Sequence, residues 1–243
     1  MFTRSLSVAR LQFVCAAILG VCAVVCVSVD ARASATAASL RLSANAWSVV
    51  ERGTIDQDVL ELALGAVACA VKSGSIEDPS TLTVIDYSRP STAKRLWVFD
   101  LREQSLLYEE LVAHGKGSGE NLATSFSNEP DSHQSSLGLF LTEEAYVGKN
   151  GYSLRLRGLD EGFNDRAYER AIVMHGAPYV SDEVARTTGR LGRSWGCPAL
   201  REGVARAIID RVKGTGLVFA YYPDSGWLKS SKYLGDCSAL AAF

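Results

Sequence analysis

A cysteine becomes a nucleophile only when a base or a positive charge makes its thiolate available. Cys197 lies in "GRSWGCPAL", and the nearest upstream histidine, His175, ends the apolar run "IVMHG". Gly196 admits backbone angles that a Cβ would resist, and Pro198 restricts Cys197 to extended angles. A thiol fixed in this way can point its sulfur out of a tight loop. The N–H groups around Gly196 and Cys197 are then left for an oxyanion. The three histidines, His114, His133 and His175, each fall in a Gly/Ser-rich loop or at a strand end, where function tends to sit.

Other uses of these residues fit less well. One cysteine and one histidine 22 positions apart, with no C-x-x-C or H-x-x-x-H pair, make a poor zinc site. No metal is expected. A serine triad at Ser194 would need G-x-S-x-G, which is absent. Papain-like enzymes place cysteine before histidine, and here the order is reversed. "HGKGSG" at His114 lacks the full P-loop pattern, and no nucleotide or other cofactor is expected. Net charge is −2 over 243 residues, and no basic patch points to nucleic acid.

The elements that must position this pair read as mainly β. "DQDVLELALGAVACAVKSG" is an amphipathic helix ending near Gly74, with Thr54 and Gln57 at capping-box spacing. "LTVIDYS" and "KRLWVFDLREQSLLYEELVAHG" read as strands, with a hairpin turn near Arg102–Gln104. "RAIVMHG" and "LVFAYYP" are further strands, and "REGVARAIIDRVKGTG" is a helix stopping at Gly214. Several short strands with a few helices predict a β-sandwich or a partly closed barrel.

The N-terminus reads as an export signal. Arg4 and Arg10 precede an apolar run, Leu11–Val29, and Ala31-Arg32-Ala33 resembles a cleavage site. The run is also long enough for an uncleaved anchor, the one circumstance that would put the chain in a membrane. Either outcome leaves the folded part outside the cytoplasm, in the periplasm or cell envelope. The organisation expected is a signal over 1–33, a linker over 34–53, a helical segment over 54–80 and a catalytic domain over 81–243. Export removes Cys15, Cys22 and Cys26, leaving Cys69, Cys197 and Cys237. The economical pairing in an oxidising compartment is Cys69 with Cys237, which leaves Cys197 free; the alternative is that all three are reduced.

Strand-His-Gly, about twenty residues, then Ser-x-Gly-Cys resembles the signature of L,D-transpeptidases of the YkuD type. "SSLGLF", Ser135 to Phe140, is similar to the upstream substrate loop of that family. With "VAHGKGSG", "FSN" and "GLDEGFND" the chain resembles a divergent branch of murein L,D-transpeptidase catalytic domains, over roughly Leu82 to Pro223. The resemblance implies an L,D-transpeptidase-like β fold and no cofactor. It makes Cys197 the nucleophile, His175 the base and the Gly176 carbonyl a partner of that base. Ser194 and Gly196 shape the loop. Peptidoglycan stem peptides are the implied substrate, joined through a thioester into 3–3 crosslinks, and carbapenem-type compounds are implied inhibitors. Water in place of the acceptor amine would make the enzyme an L,D-carboxypeptidase. Amidase action and non-catalytic wall binding are the other readings. Arg193, Trp195, His114, Asn128 and Ser136 are the candidate substrate contacts, with ordinary turn, core or surface roles as their alternatives. Arg170 could hold a carboxylate as Arg193 could, and of the two Arg193 is favoured. Two departures stand out. Trp195 takes the place of a second histidine beside the cysteine, and Pro198-Ala199-Leu200 replaces the usual polar residues after it.

Overall fold

The computed structural model describes residues 52–235. The expected signal, most of the linker and Cys237 lie outside the described residues. Among the described residues no helix is long and apolar enough to cross a membrane.

The first helix, α1 (Gln57–Lys72), buries Val59, Leu60, Ala63, Leu64, Val67 and Ala70 along one face, the stripe that 3.6-residue periodicity demands. Its N-cap is Asp56, not the expected Thr54. Asp56 is extended, and its carboxylate accepts from the N–H groups of Asp58 and Val59. The Thr54 hydroxyl donates instead to Glu109. The helix ends at Ser73, and Gly74 takes φ +71°.

Nine strands form one sheet: β1 (Thr81–Asp86), β2 (Leu96–Asp100), β3 (Ser105–Glu110), β4 (Val112–Ala113), β5 (Gly138–Gly148), β6 (Gly151–Gly158), β7 (Val173–Ala177), β8 (Ala199–Arg201) and β9 (Gly216–Tyr221). Their order is β3-β2-β1-β9-β5-β6-β7-β8-β4. The two edge strands are consecutive in the chain and separated only by Leu111. Consecutive Cα atoms lie about 3.8 Å apart, so the sheet must curl until its edges meet. The seam is tied across by Arg201, whose guanidinium forks onto the Glu110 carboxylate at 2.6 and 2.8 Å. The fold is therefore mainly β and barrel-like, as the strand pattern predicted.

All six residues of β1 are buried, as expected of a strand covered on both faces. Helix α1 packs on β1 and β9, while α3 (Glu202–Val212) packs on β7 and β8. The apolar side chains of α1, α3 and the central strands share one core. A smaller apolar cluster, Leu111, Ala113, Ala177, Val180, Leu191 and Ala199, lies under the β7-β8-β4 end. Two short helices, α2 (Asp182–Thr188) and α4 (Ser225–Ser230), and a 3-10 turn over Lys116–Ser118 complete the elements of the described residues. Cys69 on α1 is disulfide-bonded, whereas Cys197 is free.

Candidate active site

The β7-β8-β4 end of the sheet sets the segment carrying Cys197 alongside the strand that carries His175. Strand β8 runs parallel to β7 with His175 opposite Ala199, two residues after Cys197. The His175 N–H donates to the Pro198 carbonyl at 3.4 Å. Residues two apart on a strand share a face, so the register aligns the approach to β8 with the His175 face of β7.

The cysteine loop is held by its own serine. Ser194 Oγ donates to the Cys197 carbonyl at 2.6 Å and accepts from the Gly196 N–H at 3.1 Å. Gly196 takes φ +121°, a region that L-residues rarely enter, and a Cβ there would lie 2.8 Å from the Gln134 carbonyl. The Gly196 N–H, one expected oxyanion donor, is thus engaged within the loop. Ser135 braces the turn from beneath, donating to the Gly196 carbonyl at 3.2 Å.

Cys197 is buried, at 8 % exposure. It accepts from the Val173 N–H at 3.4 Å, and its thiol faces the Ala171 carbonyl at 3.7 Å. Burial pushes the thiol pKa up, and the Val173 N–H and the Arg170 charge oppose that rise. Burial likewise holds the His175 pKa below its ordinary value. His175 Nδ1 lies 2.9 Å from the Gly176 carbonyl. A carbonyl only accepts, so Nδ1 carries the proton and Nε2 presents a lone pair. Opposed shifts favour a neutral thiol beside a neutral imidazole over a resting ion pair. Gly176 has a second constraint: a Cβ would sit 3.0 Å from Ala205 on α3.

The other candidates are distributed unevenly. His114 is fully buried at the end of β4. Its Nδ1 accepts from Arg95 at 2.7 Å, and its Nε2–H faces the Gly119 carbonyl at 3.3 Å. Its backbone carbonyl accepts from the Ser194 N–H, so it supports the cysteine loop from the side opposite β7. Trp195 is 67 % exposed, stacks on His133 at 5.0 Å and lies under the Lys116 ammonium. Arg193 turns to the Gly119 carbonyl and to Glu120. Asn128 bonds Asp165 and the Arg166 N–H, beside a polar cavity of about 610 Å³. Ser136 is buried and bonded to Ser127 and Arg170.

Arg170 lies against the cysteine loop, whereas Arg193, favoured over it from the sequence, turns to Glu120. The one sequence signal of Arg170 was charge close upstream of an apolar strand, and surface arginines share that signal.

A family model described as L,D-transpeptidase catalytic domain matches residues 51–221. No curated protein matches the sequence. Among solved structures, an L,D-transpeptidase from Mycobacterium smegmatis is 13% identical, with TM-score 0.37, covering 59% of each chain. A structure of the L,D-transpeptidase LdtMt1 in complex with imipenem is 14% identical, with TM-score 0.36, covering 59% of each chain. An L,D-transpeptidase from Stackebrandtia nassauensis is 13% identical, with TM-score 0.36, covering 68% of each chain. The match to the first two spans about three fifths of their length. On the family match, which takes in α1 and all nine strands, this chain belongs to the L,D-transpeptidase catalytic-domain family.

Proposed function

We propose that the protein is an exported cysteine acyltransferase that crosslinks peptidoglycan stem peptides through a Cys197 thioester. The observation that carries this reading is the free Cys197 thiol in a Gly196-shaped loop, next to a strand whose His175 presents a bare Nε2. Membership of the family supplies the substrate class. The apolar N-terminus and its Ala31-Arg32-Ala33 site support export to the periplasm or cell envelope.

The steps follow from the protonation states. His175 Nε2 takes the Cys197 proton as the sulfur attacks the carbonyl carbon of the third stem residue. The negative oxygen that forms draws on N–H donors of the cysteine loop, the Gly196 N–H only once it leaves Ser194 Oγ; one such donor typically supplies roughly 3 kcal/mol. The C–N bond to the terminal D-amino acid breaks, and the imidazolium returns the proton to the departing amine. An amine of a second stem then attacks the thioester. Its proton passes to His175 and on to the sulfur as the C–S bond breaks, giving the 3–3 crosslink. The Gly176 carbonyl holds the tautomer through both halves of the cycle.

The test is mass spectrometry of purified muropeptides incubated with the protein, alongside Cys197→Ala. Crosslinked dimers that disappear in the variant support the reading. Shortened monomers alone would make the protein an L,D-carboxypeptidase, and intact substrate with folded protein would contradict the enzymatic reading.

A further inference from the structure

The stretch from Arg170 to Val173 wraps the Cys197 sulfur. Ala171 takes φ +53°, a costly angle for a residue with a Cβ. That turn sets its carbonyl and the Val173 N–H on either side of the sulfur, at 3.7 and 3.4 Å. Arg170 stands at the start of the turn and is held by four acceptors. Nη1 donates to the Ser127 carbonyl at 2.6 Å and to Ser136 Oγ at 2.5 Å. Nη2 donates to the Gln134 carbonyl at 2.7 Å and to Ser132 Oγ at 3.1 Å. All four come from one segment, so the guanidinium cannot swing without unfolding it. The same Nη2 would lie 3.5 Å from a Cβ on Gly196, which places the charge against the cysteine loop.

We propose that Arg170 is a positioning residue for Cys197: its fixed guanidinium favours the thiolate, and its four hydrogen bonds hold the 127–136 segment against Gly196. The proposal rests on the reading of Cys197 as the reacting group. The other titratable groups within electrostatic reach of the sulfur are Tyr87 after β1 and Tyr179 after β7, and His175 stands on the strand paired with β8. Burial keeps both tyrosines neutral, with Tyr179 pushed up to about 12. Arg170 in turn faces Arg166 and Glu129. Burial lowers the pKa of Arg170, yet arginine stays charged at neutral pH. Among the described residues, it is the cation whose charge reaches the sulfur.

The test is the pH dependence of Cys197 alkylation by iodoacetamide, followed by intact mass on the folded protein. The thiolate displaces iodide, so the rate reports the thiolate fraction without needing crosslinking activity. Arg170→Gln is expected to raise the midpoint by about one pH unit, and so to slow alkylation at pH 7 about tenfold. Arg170→Lys, which keeps the charge, is expected to stay near the wild-type midpoint. A folded Arg170→Gln protein with the wild-type profile would overturn the proposal. Should that variant not fold, the wild-type protein gives the answer by NMR. The Arg170 Nε resonance should titrate with the alkylation midpoint and lose that step in Cys197→Ser; a flat resonance overturns the proposal. Muropeptides left intact while the alkylation profiles behave as expected would defeat the transpeptidase reading and leave this one standing.

Discussion

Two His-Gly dipeptides flank the cysteine loop, and they are built for opposite ends. His175-Gly176 lies on β7 and His114-Gly115 follows β4, with β8 paired between those strands. Both rings are buried and both pKa values are lowered. The difference lies in the nitrogens. His175 spends Nδ1–H on the Gly176 carbonyl, which leaves Nε2 with a lone pair. His114 spends both, accepting from Arg95 at Nδ1 and facing the Gly119 carbonyl with Nε2–H. Burial alone therefore does not distinguish the two rings; what each nitrogen bonds does.

Substitutions at the two histidines break the comparison most sharply. His175→Ala should slow acylation of Cys197 by roughly 10²–10⁴-fold, the usual worth of a general base, with the fold retained. His114→Ala should cost about 3 kcal/mol of stability in denaturant unfolding, since it opens a cavity and removes one hydrogen bond of the buried Arg95. Its acylation rate at pH 7 should stay within tenfold of wild type while the protein is folded. Equal rate losses in the two variants would erase the distinction.

Acid should act through His114 next. Burial, reinforced by Arg95, lowers its pKa to about 4. Between the unfolded value near 6.5 and about 4, the unfolded chain binds the extra proton, so stability is present above 6.5 and falls as pH drops through that window. The loss is on the order of 3 kcal/mol at about 1.4 kcal/mol per pH unit. His175 shifts in the same direction. Urea midpoints measured across this range should show the decline, and replacing His114 should flatten it.

Smaller effects sharpen the contrast between the loop and its rim. Gly196→Ala should destabilise by about 2 kcal/mol, because φ +121° and the nearby Gln134 carbonyl both resist a Cβ. It should also lower the acylation rate, since the sulfur is carried by that turn. Arg193→Gln should cost under about 1 kcal/mol, as its partner Glu120 is exposed. Thermal melts rank the two, and a reversed order would mean that the rim, not the turn, holds the loop.

The sequence pattern revealed the parts that have local causes. Helices α1 and α3 announce themselves by apolar period, and Gly196 and Pro198 mark a constrained turn. Asp56 as the cap of α1 was missed because the Thr54–Gln57 spacing also satisfied a motif. Short helices α2 and α4 lack an apolar stripe long enough to read. The barrel closure was legible only as a class, since the register that seats β4 beside β8 depends on pairing across distant segments. The same limit hid Arg170: its four acceptors at Ser127, Ser132, Gln134 and Ser136 converge only after folding. For His114 the composition could not reveal Arg95, nineteen positions away, as the group that fills Nδ1.

The most direct test of the central claim, that Cys197 with His175 is the reacting pair, is peptide-mapped mass spectrometry after imipenem treatment. Wild type and His114→Ala should both carry one adduct on Cys197, Cys197→Ala should carry none, and His175→Ala should acquire it at least a hundredfold more slowly. Folded wild-type protein with no adduct, an adduct on another residue, or undiminished labelling of His175→Ala would contradict the account.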